Sequence, residues 1–288
     1  MADVLNPVQL VREGLGDAIR TVVSGNTTPP DELYERSGDD DGLFGPDSVT
    51  WRVHSDLSML IGGVRALLLQ TLHPLAMAGV ADHSAYRTDP LGRLHRTGGF
   101  VGATTFGSTA DAEKAIATVK RVHKRVQGTA PNGTPYAATD PHLLAWVHAT
   151  EVDSFLRAFQ RYSGDPLSPE DQDRYVAEMA VVAERLGAID SPRTMSELQA
   201  ELASYRPEMH VGSQAREAVR FLVLPPLPVA VLPTYAVVLG AAVGLLPLWV
   251  RWRLRLPMGV LADPLVAQPA ATAMLKTLGW VLGPPATM

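Results

Sequence analysis

Helix start signals recur along this chain, and they constrain its fold more than any other feature of the sequence. At several points Ser or Asp directly precedes Pro, so that the polar side chain can accept hydrogen bonds from unpaired backbone amides and the proline takes the first helical position. A further signal is a capping box, in which Thr194 and Glu197 can each bind the other's backbone amide. The signals predict helices that begin at Asp89-Pro90, Asp140-Pro141, Ser168-Pro169 and Thr194.

The spacing of the apolar residues agrees with helices, because these residues recur at intervals of three and four. One such stripe runs through residues 48–72, and similar stripes follow at 109–127, 139–162 and 168–187. The last stripe ends at Gly187, a residue type that often ends helices in the left-handed conformation. Since alternating strand patterns are scarce, the sequence predicts an all-α fold, a single-domain helical bundle.

The predicted organisation is an N-terminal helix and loop over residues 1–46, followed by a helical domain over residues 47–288. Residues 24–46 are rich in Gly, Pro and Asp, which is typical of a loop. With 288 residues, 46% of them hydrophobic, the chain can bury a sizeable core. The N terminus lacks the basic and apolar regions of a secretory signal, so we expect a cytoplasmic protein.

Composition excludes several classes of function. A net charge of −5 gives no basic footprint for nucleic acid, so no nucleic-acid partner is expected. The chain has no cysteine, which excludes disulfides, thiolate haem ligands and iron–sulfur clusters. Phosphate-binding loops, nucleophile elbows, zincin motifs and paired Glu-x-x-His motifs are also missing from the sequence.

The segment 221–249 is almost free of charge, which raises the question of a membrane span. Prolines interrupt it, and the run between Pro233 and Pro247 is shorter than the roughly 20 apolar residues that a spanning helix needs. The segment therefore favours buried core helices. A peripheral membrane contact through residues 221–255 is the alternative, since arginines follow the apolar run at positions 251, 253 and 255.

A basic cluster lies in the stretch RLHRTGGFV, on the helix predicted to begin at Asp89. Arg93, Arg96 and Thr97 are spaced i, i+3 and i+4, so they share one face. Ordinary surface charge is one interpretation of this face. The following Gly98-Gly99 favours a second one, because glycines allow a ligand to approach the backbone closely.

His123 is the histidine whose position most suggests chemistry. It shares an apolar helical stripe with Ile116, Val119 and Val126, which predicts an inward-facing imidazole. Such a group needs a hydrogen-bond partner or a metal, because a buried unpaired nitrogen costs about 1–3 kcal/mol. A carbonyl or carboxylate partner would suffice. Haem b would suit the histidine, the arginines and the apolar surroundings together, because its iron binds imidazole and its propionates bind Arg.

At these residues the sequence resembles the family of bacterial rubber oxygenases (latex clearing proteins) and the fungal membrane-bound oxygenase of mycophenolic acid biosynthesis. The resemblance spans about residues 45–257. It includes the proline-rich stretches LVLPPLP and GLLPLW. The blocks that carry it are LLLQTLHPLAMAGVADHS at 67–84, RLHRTGGFVGATTFG at 93–107, TVKRVHKRVQG at 118–128 and PYAATDPHLLAWVHATEVDSFLRAFQRY at 135–162.

The resemblance implies a helical bundle around haem b, with His123 as the proximal iron ligand. Arg93 and Thr97 are similar to the Arg and Thr of the family's Arg-x-x-Lys-Thr set in the haem pocket. Arg96 stands where that set has lysine, and because arginine stays protonated it does not replace a lysine that binds iron. This departure leaves the distal side of the iron open or occupied by another residue.

The resemblance also implies a catalytic carboxylate shortly before the arginine motif, and the stretch LAMAGVADHS offers no glutamate there. Asp82 and His83 are the nearest substitutes as a base, although either could instead cap a helix or pair with Arg87. His73 is a further candidate for supporting the cofactor pocket, or for a helix-capping role. His148 is a candidate for orienting His123 or a propionate.

Together these features predict a haem b-dependent oxygenase that uses dioxygen to oxidise an apolar small molecule, such as an isoprenoid or a lipid. The alternative is a non-catalytic protein of the same fold that binds haem or another apolar ligand. A peripheral membrane protein is a third possibility.

Overall fold

The computed structural model describes residues 40–227, 229, 231–256 and 264–282, and the N-terminal helix expected before residue 24 lies outside them. Within the described residues the chain forms twelve α-helices and one short antiparallel hairpin of β1 (Gln127–Thr129) and β2 (Pro135–Ala137), which confirms the all-α prediction. The helices are α1 (Val49–His54), α2 (Met59–Gln70), α3 (Pro74–His83), α4 (Pro90–Phe106), α5 (Thr109–His123), α6 (Pro141–Tyr162), α7 (Pro169–Leu186), α8 (Met195–Ser204), α9 (Ser213–Val223), α10 (Leu232–Leu245), α11 (Leu248–Leu254) and α12 (Pro264–Leu282).

The predicted helix starts are confirmed. Asp89 accepts a hydrogen bond from the amide of Gly92 at 2.9 Å, so its side chain caps α4 as the sequence suggests. Thr194 and Glu197 form the predicted capping box at the start of α8. Helix α7 ends at Gly187, whose φ of +117° is the left-handed conformation expected there. The starts of α6 and α7 are capped in the same way by Asp140 and Ser168.

Two predicted stripes are shorter in the structure than in the sequence. The stripe 48–72 is divided between α1 and α2, because the Asp56 carboxylate accepts a hydrogen bond from the amide of Ser58 at 2.8 Å and forms a turn there. Within the stripe 109–127, helix α5 ends at His123, because the chain then turns into the β1–β2 hairpin. In both places a local polar or strand interaction ends a helix that the apolar spacing would have continued.

Helices α2 and α6 cross closely at the centre of the bundle. The approach depends on Gly62, where a Cβ atom would lie 2.8 Å from a ring carbon of Phe155. Beside this contact Arg65 and Asp153 form an ion pair of 2.8 Å, and both side chains are at most 3% exposed. Arg65 also donates to the hydroxyl of Ser154 at 2.7 Å. Because both charges are paired and hydrogen-bonded, the buried pair can be tolerated in the core.

Helices α4 and α5 form an αα-hairpin beside this centre. They pack against each other and are joined through Gly107 and Ser108, a connection as short as those that join antiparallel neighbours. Helix α7 contacts α5 on one side and α6 on the other. Helix α7 therefore links the α4–α5 hairpin to α6.

The described part of the apolar segment 221–249 forms separate, partly buried helices rather than one long element, as its prolines predict. Helix α10 begins with Pro233 in its first turn and buries Val238, Ala241 and Ala242, and Pro247 directly precedes α11. In the described ranges no single helix is long and apolar enough to cross a bilayer. Helices α2 and α3 meet that test only as a pair, bent by 106°.

Candidate functional site

The basic cluster lies on the N-terminal half of α4, and its members have different surroundings. Arg93 is half-buried and donates to the hydroxyl of Ser84. Arg96 is 63% exposed and pairs with Asp89 at 3.2 Å, so the surface-charge interpretation describes it well. Thr97 donates to the backbone carbonyl of Arg93 at 3.1 Å. Burial lowers the pKa of Arg93, which means that this guanidinium has lost solvation that an anionic partner could restore.

The two halves of α4 differ in burial within the described structure. Its C-terminal half is buried at Gly102, Ala103, Thr104 and Thr105. Gly98, in the half that holds Arg93, is exposed, and a Cβ atom added there would meet no described atom within 4 Å.

His123 is the last residue of α5, and the αα-hairpin brings it to the same end of the helix pair as Arg93. Its predicted orientation agrees with the structure, since Ile116 is 3% exposed and His123 is half-buried. Burial lowers the pKa of the imidazole, so the ring is neutral at neutral pH. Within the described part of the chain, no hydrogen bond to the His123 ring is found. This neutral ring is chemically available to a metal.

His148 and Glu151 lie one turn apart on α6 and have unusual protonation behaviour. Burial lowers the pKa of His148 to about 4 and raises the pKa of Glu151 to about 7. Both side chains nevertheless keep some accessible surface, and neither has a hydrogen-bond partner among the residues that the structure describes. Desolvated polar groups that keep some accessible surface and lack a partner are suited to contact a ligand or water.

A buried hydrogen-bonded cluster lies near Glu151. The His54 ring contacts the hydroxyls of Thr105 on α4 at 2.7 Å and Tyr175 on α7 at 3.0 Å. Burial lowers the pKa of His54 to about 3, so the ring is neutral. The pKa of Tyr175 is raised, first by burial and then by the charge of Glu151, which places Glu151 near this cluster. His54 therefore joins α1, α4 and α7.

The other predicted residues lie elsewhere. Asp82 accepts a hydrogen bond from the Tyr136 hydroxyl at 2.6 Å, and the His83 ring contacts the carbonyl of Gln127 at 3.2 Å. Both contacts fasten α3 to the β1–β2 hairpin. Arg87 pairs with Glu217 rather than with either of them. His73, directly before α3, contacts the Glu208 carboxylate at 3.3 Å. These contacts do not join Asp82, His83 or His73 to α4 or α5.

The comparison with known families agrees with this architecture. The family described as ER-bound oxygenase mpaB/B′/rubber oxygenase, catalytic domain, matches residues 51–282. The chain belongs to this family. No curated protein and no solved structure gives a significant match. The predicted membership in the mpaB/rubber oxygenase family is confirmed, and the matched range runs from α1 to the end of α12.

Membership in an mpaB/rubber oxygenase family implies a metal or haem cofactor, and the described histidines offer two places for one. The first is the end of the α4–α5 hairpin that holds Arg93 and His123. The second is a cluster of His73, His142 and Glu208. Sequence reasoning did not single out Glu151 or His54, and of the second cluster it identified only His73. Only Glu151 had a local signal, its position three residues after His148 on one helical face.

Proposed function

We propose that this protein is a haem b-dependent oxygenase that acts on an apolar small molecule such as an isoprenoid or a lipid. Its family membership supports oxygenase chemistry. The observation that carries the haem assignment is His123, a neutral and half-buried imidazole with no hydrogen-bond partner in the described chain. It lies at the end of the α4–α5 hairpin that also holds Arg93.

The residues at this end of the hairpin fit haem b. His123 would hold the iron, since a neutral imidazole is a common axial ligand. Arg93 and Thr97 would hold the propionates, because a guanidinium group matches a carboxylate in charge and geometry, whereas Arg96 already pairs with Asp89. The bound cofactor would supply the activation of dioxygen. The partly desolvated Arg93 supports the assignment, because a propionate would compensate for its lost solvation.

The chain's own residues would control protons and water in the pocket. Glu151, whose pKa is raised to about 7, can accept a proton and return it near neutral pH. We therefore assign it the role of base, in place of Asp82 and His83, which bind Tyr136 and Gln127. His148 stays neutral and can orient a propionate or His123.

The second candidate function is a non-catalytic protein that binds haem or an apolar ligand. One observation favours it: Arg96 pairs with Asp89 where the family's set has lysine. A peripheral membrane contact is compatible with both functions. We place it within the expected segment 221–255, where Leu224 is 71% exposed, Leu248 63% and Trp252 69%.

The haem assignment is tested by absorption spectroscopy of the protein expressed with a haem precursor. We expect a Soret band in the wild type and its loss or displacement in His123→Ala. His210→Ala is the matched control, because His210 is exposed and uses only its backbone amide in the contact to Leu72. A colourless wild type, or a His123→Ala spectrum and haem load equal to those of the control, would refute the assignment. Oxygen consumption on addition of an isoprenoid or a lipid then separates the oxygenase from the non-catalytic binder.

A further inference from the structure

A second cluster of metal-ligand residues lies where the starts of α3 and α6 meet the segment between α8 and α9. The His142 Nε2 atom is 2.9 and 3.0 Å from the two carboxylate oxygens of Glu208, and the His73 Nε2 atom is 3.3 Å from one of them. The three potential ligand atoms all lie within 4.8 Å of one another. We propose that His73, His142 and Glu208 bind a divalent cation of the zinc class, at a site separate from the proposed haem pocket.

The distances fit this type of ion. Zinc binds imidazole nitrogen and carboxylate oxygen at about 2.0–2.2 Å, so ligand atoms in a tetrahedral site lie about 3.3 Å apart. The measured separations of 2.9–3.3 Å between the carboxylate and the two imidazoles agree with that value. Two imidazoles and one carboxylate also form a ligand set that leaves a fourth position for water.

Both histidine rings are held in place before an ion arrives. The His142 ring stacks on Tyr205 with centroids 4.5 Å apart, and the Tyr205 hydroxyl donates to the His142 carbonyl at 2.7 Å. His73 is 1% exposed and lies 6.0 Å, between ring centroids, from both Trp146 and Tyr205. Because packing fixes these ligands, little conformational entropy is lost when the ion binds.

The access and the charge of the site are also suitable. His142 is 49% exposed and Glu208 43%, so an ion can reach the buried His73 nitrogen from solvent. A second carboxylate lies near His142, because Glu201 interacts electrostatically with it. One oxygen of Glu201 is buried and has no hydrogen-bond partner in the described chain. The resulting negative potential favours a cation over a neutral ligand.

Binding would join three separate segments of the chain. His73 precedes α3, His142 is in the first turn of α6, and Glu208 lies between α8 and α9. One backbone hydrogen bond, from His210 to Leu72 at 2.8 Å, already connects two of these segments. The ion would therefore stabilise the folded state, because a ligand that binds only the folded chain raises the thermal midpoint.

The test is titration of the chelator-treated, full-length protein with Zn²⁺ in a calorimeter, and with Co²⁺ followed by visible absorption. We expect one equivalent to bind, a tetrahedral Co²⁺ spectrum and a higher thermal midpoint. Both His142→Ala and Glu208→Gln alter half-exposed side chains and should fold; each should weaken binding by about 100-fold or more. The control is His210→Ala, two residues from Glu208, which should bind as the wild type does.

Two results would overturn the proposal. One is the absence of binding heat and of Co²⁺ absorption in the wild type. The other is an affinity for Zn²⁺ that is the same in Glu208→Gln, His142→Ala and His210→Ala. In that case the three residues would form a hydrogen-bonded His–Glu–His cluster that binds no ion. The haem load of Glu208→Gln should equal that of the wild type, so this outcome is independent of the Soret experiment.

Discussion

At the scale of single residues, His54 shows how burial sets the protonation of a side chain and thereby the pH dependence of stability. Its pKa is lowered to about 3 by burial, whereas an unfolded histidine titrates near 6.5. The stability that the neutral ring contributes is therefore present above about pH 6.5 and is lost as the pH falls towards 3. The loss approaches about 1.4 kcal/mol per pH unit inside that window.

We expect the free energy of unfolding to fall less steeply for His54→Gln than for the wild type as the pH is lowered from 7 to 4.5. Glutamine can contact the hydroxyls of Thr105 and Tyr175 but does not titrate, so the variant should be less stable at pH 7 and show a shallower slope. Urea unfolding at pH 7, 5.5 and 4.5 measures the slope. His210→Gln, at an exposed position, is the control, and parallel curves for His54→Gln and the wild type would contradict the role of burial.

The sequence could not have identified His54 as the residue that joins three helices. The chain has eight histidines, and neighbouring residues rank them only by which side of a helix they occupy. The partners of His54 lie 51 and 121 positions away, at Thr105 and Tyr175. His123 was identifiable because its own stripe orients it, whereas His142 and Glu208 meet only through the folding of α6 against the segment after α8.

At the scale of helices, the close crossing of α2 and α6 depends on one glycine of an adjacent pair. A Cβ atom at Gly62 would lie 2.8 Å from a Phe155 ring carbon and 3.1 Å from the Ser154 carbonyl, whereas at Gly63 it would meet no described atom within 4 Å. Alanine favours a helix over glycine by about 1 kcal/mol at either position. Alanine at Gly63 therefore reports helix propensity alone, whereas alanine at Gly62 reports helix propensity and packing together.

We expect Gly62→Ala to lower the free energy of unfolding by about 1–3 kcal/mol, because the added methyl group forces α2 and α6 apart. Gly63→Ala is the matched substitution and should leave stability unchanged or raise it by up to about 1 kcal/mol. Chemical denaturation of the two variants beside the wild type measures the difference. Equal stabilities for Gly62→Ala and Gly63→Ala would show that the crossing tolerates a larger residue.

The helix boundaries show which elements can be read from sequence. The helix starts at Asp89, Asp140 and Ser168 were predictable, because each capping side chain binds a backbone amide only two or three residues later in the sequence. The break between α1 and α2 and the end of α5 at His123 were not predicted, since the apolar spacing continues through both places. There the turn at Asp56 and the pairing of β1 with β2 determine where the helices stop.

At the scale of the whole molecule, the proposed peripheral membrane contact has one candidate surface, the exposed apolar side chains of α11. Leu248 and Trp252 are one turn apart on α11 and are 63% and 69% exposed. The sequence pointed to Arg251, Arg253 and Arg255 as the charged part of this contact. Two of them are held against the protein, because Arg251 donates to the Leu246 carbonyl at 2.9 Å and Arg253 donates to the Met209 carbonyl at 2.7 Å. Since these two guanidinium groups are not free to reach lipid headgroups, we expect membrane contact through α11 to depend on apolar burial more than on lipid charge.

We expect the purified protein to float with phosphatidylcholine vesicles about as well as with vesicles that contain anionic lipid. Replacing Leu248 and Trp252 together by serine should abolish flotation, because each side chain loses roughly 1.5–3 kcal/mol of apolar transfer free energy. Ile189→Ser is the control, since Ile189 is 63% exposed and lies between α7 and α8, away from α11 in the chain. Flotation only with anionic vesicles would assign the contact to the arginines, and flotation unchanged in the double variant would remove α11 from the contact.

Because the apolar substrate that we propose would partition into the same bilayer, loss of flotation should raise the KM for a vesicle-embedded substrate and leave turnover of a detergent-solubilised one unchanged.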